Sequence, residues 1–131
     1  AGKVAPGLVG AEGRDDILKL TLAAGANLKD TNRYGGTALI PAAHHGHVET
    51  VKILLPTAID KDHVNNLGWT ALLEAVILGD GGAAHTEIVR LLVTAGANVN
   101  IADRDGVTPL AHAKRANYAG MVRTLAAAGA R

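Results

Sequence analysis

The strongest constraint on this chain is that it repeats itself. Three segments align: "GGTALIPAAHHGHVETVKILL" from Gly35, "GWTALLEAVILGD…TEIVRLLV" from Gly68, and "GVTPLAHAKRANYAGMVRTLA" from Gly106. The first two are 33 residues apart, and the next interval is 38, which is the same period plus an insertion of five. Counting the period back from Gly46 reaches Gly13, where "EGRDDILKLTLAAGANLKD" fits as an earlier copy. A period of this size marks a solenoid, in which no single unit buries its own apolar face and a stack of units does.

Each unit has the same grammar. A glycine opens a turn, and a threonine two residues later (Thr37, Thr70, Thr108) is placed to cap a helix start. A short Ala- and Leu-rich helix follows and stops at Gly46, Gly79 or Asn117, residues that tolerate the left-handed conformation. A second helix then carries its apolar residues on one face, such as Val48, Val51 and Leu54 or Ile88, Val89 and Leu92.

Composition agrees with short, closely packed helices. Apolar residues make up 48% of the chain but aromatics only 2%, so the core draws on Ala, Leu, Val and Ile rather than on the aromatic residues common in β-sandwiches. The 131 residues suit one domain. Thirteen Lys and Arg against twelve Asp and Glu leave a formal charge of +1, which implies no nucleic-acid partner. The basic residues near the end (Lys114, Arg115, Arg123, Arg131) read as a solvated face. Without cysteine there is no disulfide or thiolate chemistry. No apolar run approaches ~18 residues, so no membrane insertion is expected. The expected location is the cytoplasm, with the periplasm or secretion as the alternative if a signal peptide has been removed before Ala1.

At this point the residues resemble a family. "GVTPLAHA", "GHVETVKILL", "TEIVRLLVTAGANVN" and "GWTALLEA" are similar to ankyrin repeats over roughly Ala11 to Arg131. The resemblance implies an all-α solenoid: antiparallel helix pairs stacked in an L shape, with β-hairpin fingers at right angles. It also implies a non-catalytic module that binds another protein through finger tips and the concave helix face. The units then run as a degenerate N-terminal repeat over 1–32, repeats over 33–65 and 66–102, the latter with its insertion at 80–84, and a capping repeat over 103–131. Three departures stand out. Ile40, Leu73 and Ala111 replace the family's "TPLH" histidine, Pro56 predicts an early end to one second helix, and Asp80–Ala84 reads as a flexible, tolerated loop.

The segment "HHGHVE" (His44–Glu49) is the obvious candidate for metal or acid–base chemistry. The resemblance makes His47 a backbone-bonding residue at the interhelical turn, with His85 its counterpart in the next unit. Gly46 reverses the chain, so the three rings are expected to diverge, which disfavours a zinc site needing three or four converging ligands. Glu74 and His112 occupy equivalent places on successive first helices and are expected to meet on the groove wall as a polar contact rather than a catalytic pair. No cofactor is expected, since "GDGG" lacks the Lys and Ser or Thr of a phosphate loop.

Binding energy concentrates in aromatic and Arg anchors. Tyr34 and Trp69 flank the turn glycines of adjacent fingers, with Arg33 and Leu67 beside them and Arg104, Asp105 and Val107 on the last finger. The concave wall should add His44, His45, Glu74, Ile77, Leu78, His112 and Arg115, with Ile77 and Leu78 apolar where polar residues are normal. The expected function is a monomeric protein-binding module. A small-ligand or metal-binding protein using the histidines, and a structural segment of a longer array, are the alternatives.

Overall fold

The computed structural model describes Lys19 and residues 27–131. Most of the N-terminal repeat expected over 1–32 therefore lies outside the described residues. Six helices follow in order: α1 (Leu39–His44), α2 (Val48–Leu54), α3 (Ala71–Ile77), α4 (Ala83–Thr94), α5 (Pro109–Arg115) and α6 (Ala119–Ala127). The first helices pack as a row, α1 on α3 on α5, and the second helices as a parallel row, α2 on α4 on α6. One apolar cluster runs between the rows. Leu39, Leu72 and Val76 face Val51, Leu54, Ile88, Leu92, Met121 and Leu125, all essentially without solvent contact. Burying each such Leu or Ile contributes ~1.5–3 kcal/mol, so the stack is held by its Ala- and Leu-rich seams.

Helix ends follow local chemistry, with two corrections. Thr70 and Thr108 cap α3 and α5, their hydroxyls accepting from the amides of Leu73 and Ala111 at 3.2 Å. Thr37 does not cap α1. The Ile40 amide turns instead to the Thr37 backbone carbonyl at 3.1 Å, and the Thr37 hydroxyl is buried without a partner. Gly46 ends the first helix of its unit at φ 74° and Asn117 does so at φ 60°, as the left-handed stop requires. Gly79 does not take that conformation. The left-handed role passes to Gly81 (φ 72°) inside the insertion, while Gly79 is required because a Cβ there would lie 2.2 Å from the Ala75 carbonyl and 2.6 Å from the His85 ring.

Pro56 acts as expected. The α2 helix stops at Leu54, and Thr57 closes it by donating its hydroxyl to the Leu54 carbonyl. The insertion is not a loose loop. Ala83 and Ala84 become the first turn of α4, Asp80 accepts from the Gly82 amide at 2.8 Å, and Gly81 lies against the Tyr118 ring, whose hydroxyl reaches the Gly79 carbonyl at 3.4 Å.

The fingers form without β-strands among the described residues. Each is a tight reversal closed by a cross-bond, amide to carbonyl, from Asn32 to Gly36 (2.9 Å), Asn65 to Trp69 (3.0 Å) and Asp103 to Val107 (3.0 Å), and by the turn-glycine amide (Gly35, Gly68, Gly106) bonding back to the same Asn or Asp carbonyl. Adjacent fingers are tied by the Asn66 amide on the Tyr34 carbonyl (2.8 Å), by the Arg104 guanidinium on the Asn66 carbonyl, and by His63 Nε2 on the Gly35 carbonyl (2.7 Å). On the opposite edge His85 Nε2 sits 2.8 Å from the His44 carbonyl. A carbonyl only accepts, so both imidazoles donate from Nε2. These cross-unit bonds hold the stack where the "TPLH" histidine is missing.

Candidate functional site

At the base of each described finger one side chain organises the loop. Asn32 Oδ1 accepts from the amides of Tyr34 and Gly36, Asn65 Oδ1 from Leu67 and Trp69, and Asp103 Oδ1 from Asp105 and Val107, all at 2.9–3.0 Å. This local Asx bonding makes the reversal rigid, and it leaves the second polar atom of each side chain free to reach its own first helix nine residues on. Asn65 Nδ2 donates to Glu74 Oε1 at 3.2 Å, and Asp103 Oδ2 lies 2.7 Å from His112 Nε2. Nine residues after Asn32 stands Pro41, which has no such group.

These pairs correct the expectation that Glu74 meets His112. Each bonds to the base of the finger that leads into its own helix, nine residues back, rather than to the equivalent helix position next door. Among the described residues, the other polar side chain near Glu74 is His44, with Nδ1 3.7 Å from Oε2, beyond hydrogen-bond length. Glu74 is 5% exposed. Burial pushes its carboxyl up to about 6, against the partial relief of the Asn65 hydrogen bond. His44 is shifted the other way: burial, with charge on His45 and His85 adding to it, holds the imidazole below its ordinary value and favours the neutral ring. Asp103 stays below the usual carboxylate range, mainly through the Val107 amide and then His112.

The histidine rings do not diverge. His44 stacks on His45 with centroids 4.3 Å apart and planes 13° from parallel, and His45 on His47 at 5.8 Å and 29°. Stacked rings present faces to one another rather than nitrogens to a common point. Among the described residues no group of three or more His, Cys, Asp or Glu side chains is arranged to hold a metal ion.

Half of the expected binding residues converge. Arg33, Tyr34, His44, His45, Leu67, Glu74 and Leu78 line one groove of about 730 Å³ between the first two described fingers and the first helices. Its rim is apolar: Tyr34 is 50% exposed, Leu67 49% and Leu78 40%. The Arg33 guanidinium lies over the Tyr34 ring, 4.8 Å from its centroid.

The other expected residues lie outside the groove. Trp69 and Ile77 are half-buried, Arg104 packs along Gly68 and is spent on the Asn66 carbonyl, and His112 is held by Asp103. Asp105, Val107 and Arg115 belong to the last unit. The groove also uses Asp30, Asn32, Ile40, Pro41 and Asn65, which sequence reasoning missed. Asn32, Asn65 and Asp103 recur in the same register as the turn glycines, three residues before each. That recurrence was the available signal. Among the described residues no helix is long and apolar enough to cross a membrane.

Comparison with known proteins agrees with this architecture. The family model described as ankyrin repeats (3 copies) matches residues 8–103. The ankyrin repeat protein YahD of Escherichia coli (strain K12) is 41% identical over 115 residues, which is 87% of this chain and 57% of YahD. An ankyrin repeat domain from Acinetobacter baumannii AYE superposes with a TM-score of 0.95 at 56% identity, over 96% of this chain and 64% of that one. The ankyrin repeat protein EF0377 follows at 0.86 and 41%, over 95% and 64%. The chain thus spans less than two thirds of the length of each of these relatives. Period, helix pairing, finger reversals and these likenesses agree: the chain belongs to the ankyrin repeat family.

Proposed function

We propose that this protein is a non-catalytic interaction module that binds a partner protein in the groove between its fingers and its first helices. Ankyrin repeats are generally protein–protein interaction modules. The observation that carries the finer reading is the clustering of exposed apolar side chains. Of the four large hydrophobic residues exposed among the described residues (Tyr34, Val64, Leu67, Leu78), three line the same groove. Apolar side chains gathered on one concave, rigidly supported wall offer a partner desolvation energy and a tyrosine anchor.

The test is affinity capture from a lysate of the source organism, comparing wild type with Tyr34→Ala/Leu67→Ala. Both side chains are about half exposed, so the double variant should keep its helical circular dichroism. A protein held by wild type and lost by the folded variant is the expected result. Equal capture by both would remove the groove as the site.

A further inference from the structure

The groove is lined by a buried carboxylate, Glu74, that has no Lys or Arg partner among the described residues. Glu74 is 5% exposed, yet its Oε1 is met only by a neutral amide, Asn65 Nδ2, and Oε2 has a histidine nitrogen 3.7 Å away. A buried carboxylate is costly unless it is paired. The charged groups lining the groove are Asp30 and Glu74 against Arg33 alone, and Arg33 rests on the Tyr34 ring. His44 and His45 line the same wall, and His44 is shifted toward its neutral form. Around the carboxylate the rim is Tyr34, Leu67 and Leu78. A buried anion and an apolar rim are complementary to one kind of side chain, a long aliphatic stem ending in a positive charge.

We propose that the groove takes a partner segment carrying a lysine flanked by apolar residues, with the ammonium seated on Glu74 and the stem lying between Tyr34, Leu67 and Leu78. Lysine fits better than arginine because Oε1 is already bonded to Asn65. The carboxylate cannot offer both oxygens freely to a guanidinium fork, whereas a compact ammonium needs only the Oε2 side. Burial is the leading cause of the raised carboxyl, and a cation seated on Oε2 would favour the charged form and draw it back down. This inference rests on the groove being the partner site and adds the chemistry of what enters it.

The probe is the peptide acetyl-Ala-Leu-Lys-Leu-Ala-amide, titrated at pH 7.5 into isotope-labelled protein and followed by backbone amide shifts. A matched peptide carrying Nε-acetyl-lysine keeps the length and removes the charge. The lysine peptide should shift the amides of His44, Leu67 and Leu78. Acetylation, or Glu74→Gln in the protein, should weaken binding by about tenfold or more, the usual scale of a charge-assisted hydrogen bond. Glutamine is isosteric and can still accept from Asn65, and a melting curve matching wild type at about pH 4, below the window in which Glu74 titrates, would certify its fold. Equal binding of both peptides would overturn the cation assignment while leaving an apolar docking groove. Saturating lysine peptide with no shift at these amides would overturn it too. The docking reading fails separately, through the Tyr34→Ala/Leu67→Ala capture.

Discussion

Replacing Glu74 by glutamine should stabilise the free protein at neutral pH, and the gain should vanish in mild acid. The Glu74 carboxyl is raised from its ordinary value of 4.5 to about 6, with burial as the leading cause. Between those two values the folded state holds more protons than the unfolded chain, so stability falls as pH rises through the window. Above about 6 the full penalty is present, and below about 4.5 it is gone. A displacement of this size corresponds to about 2 kcal/mol, and water entering the groove reduces it to about 1–2 kcal/mol. Glutamine keeps the shape and cannot ionise. For a chain of this length the gain should appear as a melting temperature higher by about 3–8 °C. Thermal melts of wild type and Glu74→Gln at pH 7.5 and 4.5, followed by circular dichroism, measure it. A variant less stable than wild type at pH 7.5, or a gap that stays constant between the two pH values, would refute the reasoning. Either result would mean that the carboxylate is well paired in the folded state.

Two further predictions follow from helix ends and glycines. Thr37 and Thr70 are equally buried at 2% exposure, yet valine should affect them oppositely in denaturant titrations. Thr37→Val removes an unpartnered hydroxyl and should gain up to about 1 kcal/mol, while Thr70→Val loses the α3 cap and should cost about 1 kcal/mol; the same sign at both sites would contradict the assignment. Gly81→Ala should cost more than Gly96→Ala, because both are left-handed but only the first would place a Cβ 2.4 Å from Tyr118 while the second meets nothing within 4 Å. The Gly96 change alone should cost about 1–2 kcal/mol, and equal losses would show that the insertion does not pack on Tyr118.

What the sequence revealed and what it hid have a common physical root. The 33-residue register located the helix pairs, the caps at Thr70 and Thr108, the stop at Asn117 and the early end at Pro56, because each depends on neighbours a few residues away. The failures involve atoms that are distant in the chain or displaced by the insertion. Five extra residues moved the left-handed turn from Gly79 to Gly81 and packed it on Tyr118, more than thirty residues on. Glu74 was matched to His112 by register, whereas the fold closes each on the base of its own finger. The groove was half legible: its rim residues were named from exposure rules, but the Asn32, Asn65 and Asp103 frame beneath it went unnoticed.

The Asx frame has a consequence for how such a molecule diversifies. Its Oδ1 acceptor repeats in every described finger, but the position nine residues on differs each time: Pro41, Glu74, His112. The first set of atoms sets the loop, and in the second and third described fingers the other polar atom meets the first helix, with little to do for the backbone. Loop shape and side-chain chemistry are thereby set at separate places in each unit. Exchanging proline, glutamate and histidine among these three positions would change the chemistry at the foot of each finger, one residue per repeat, while the loops keep their own grammar.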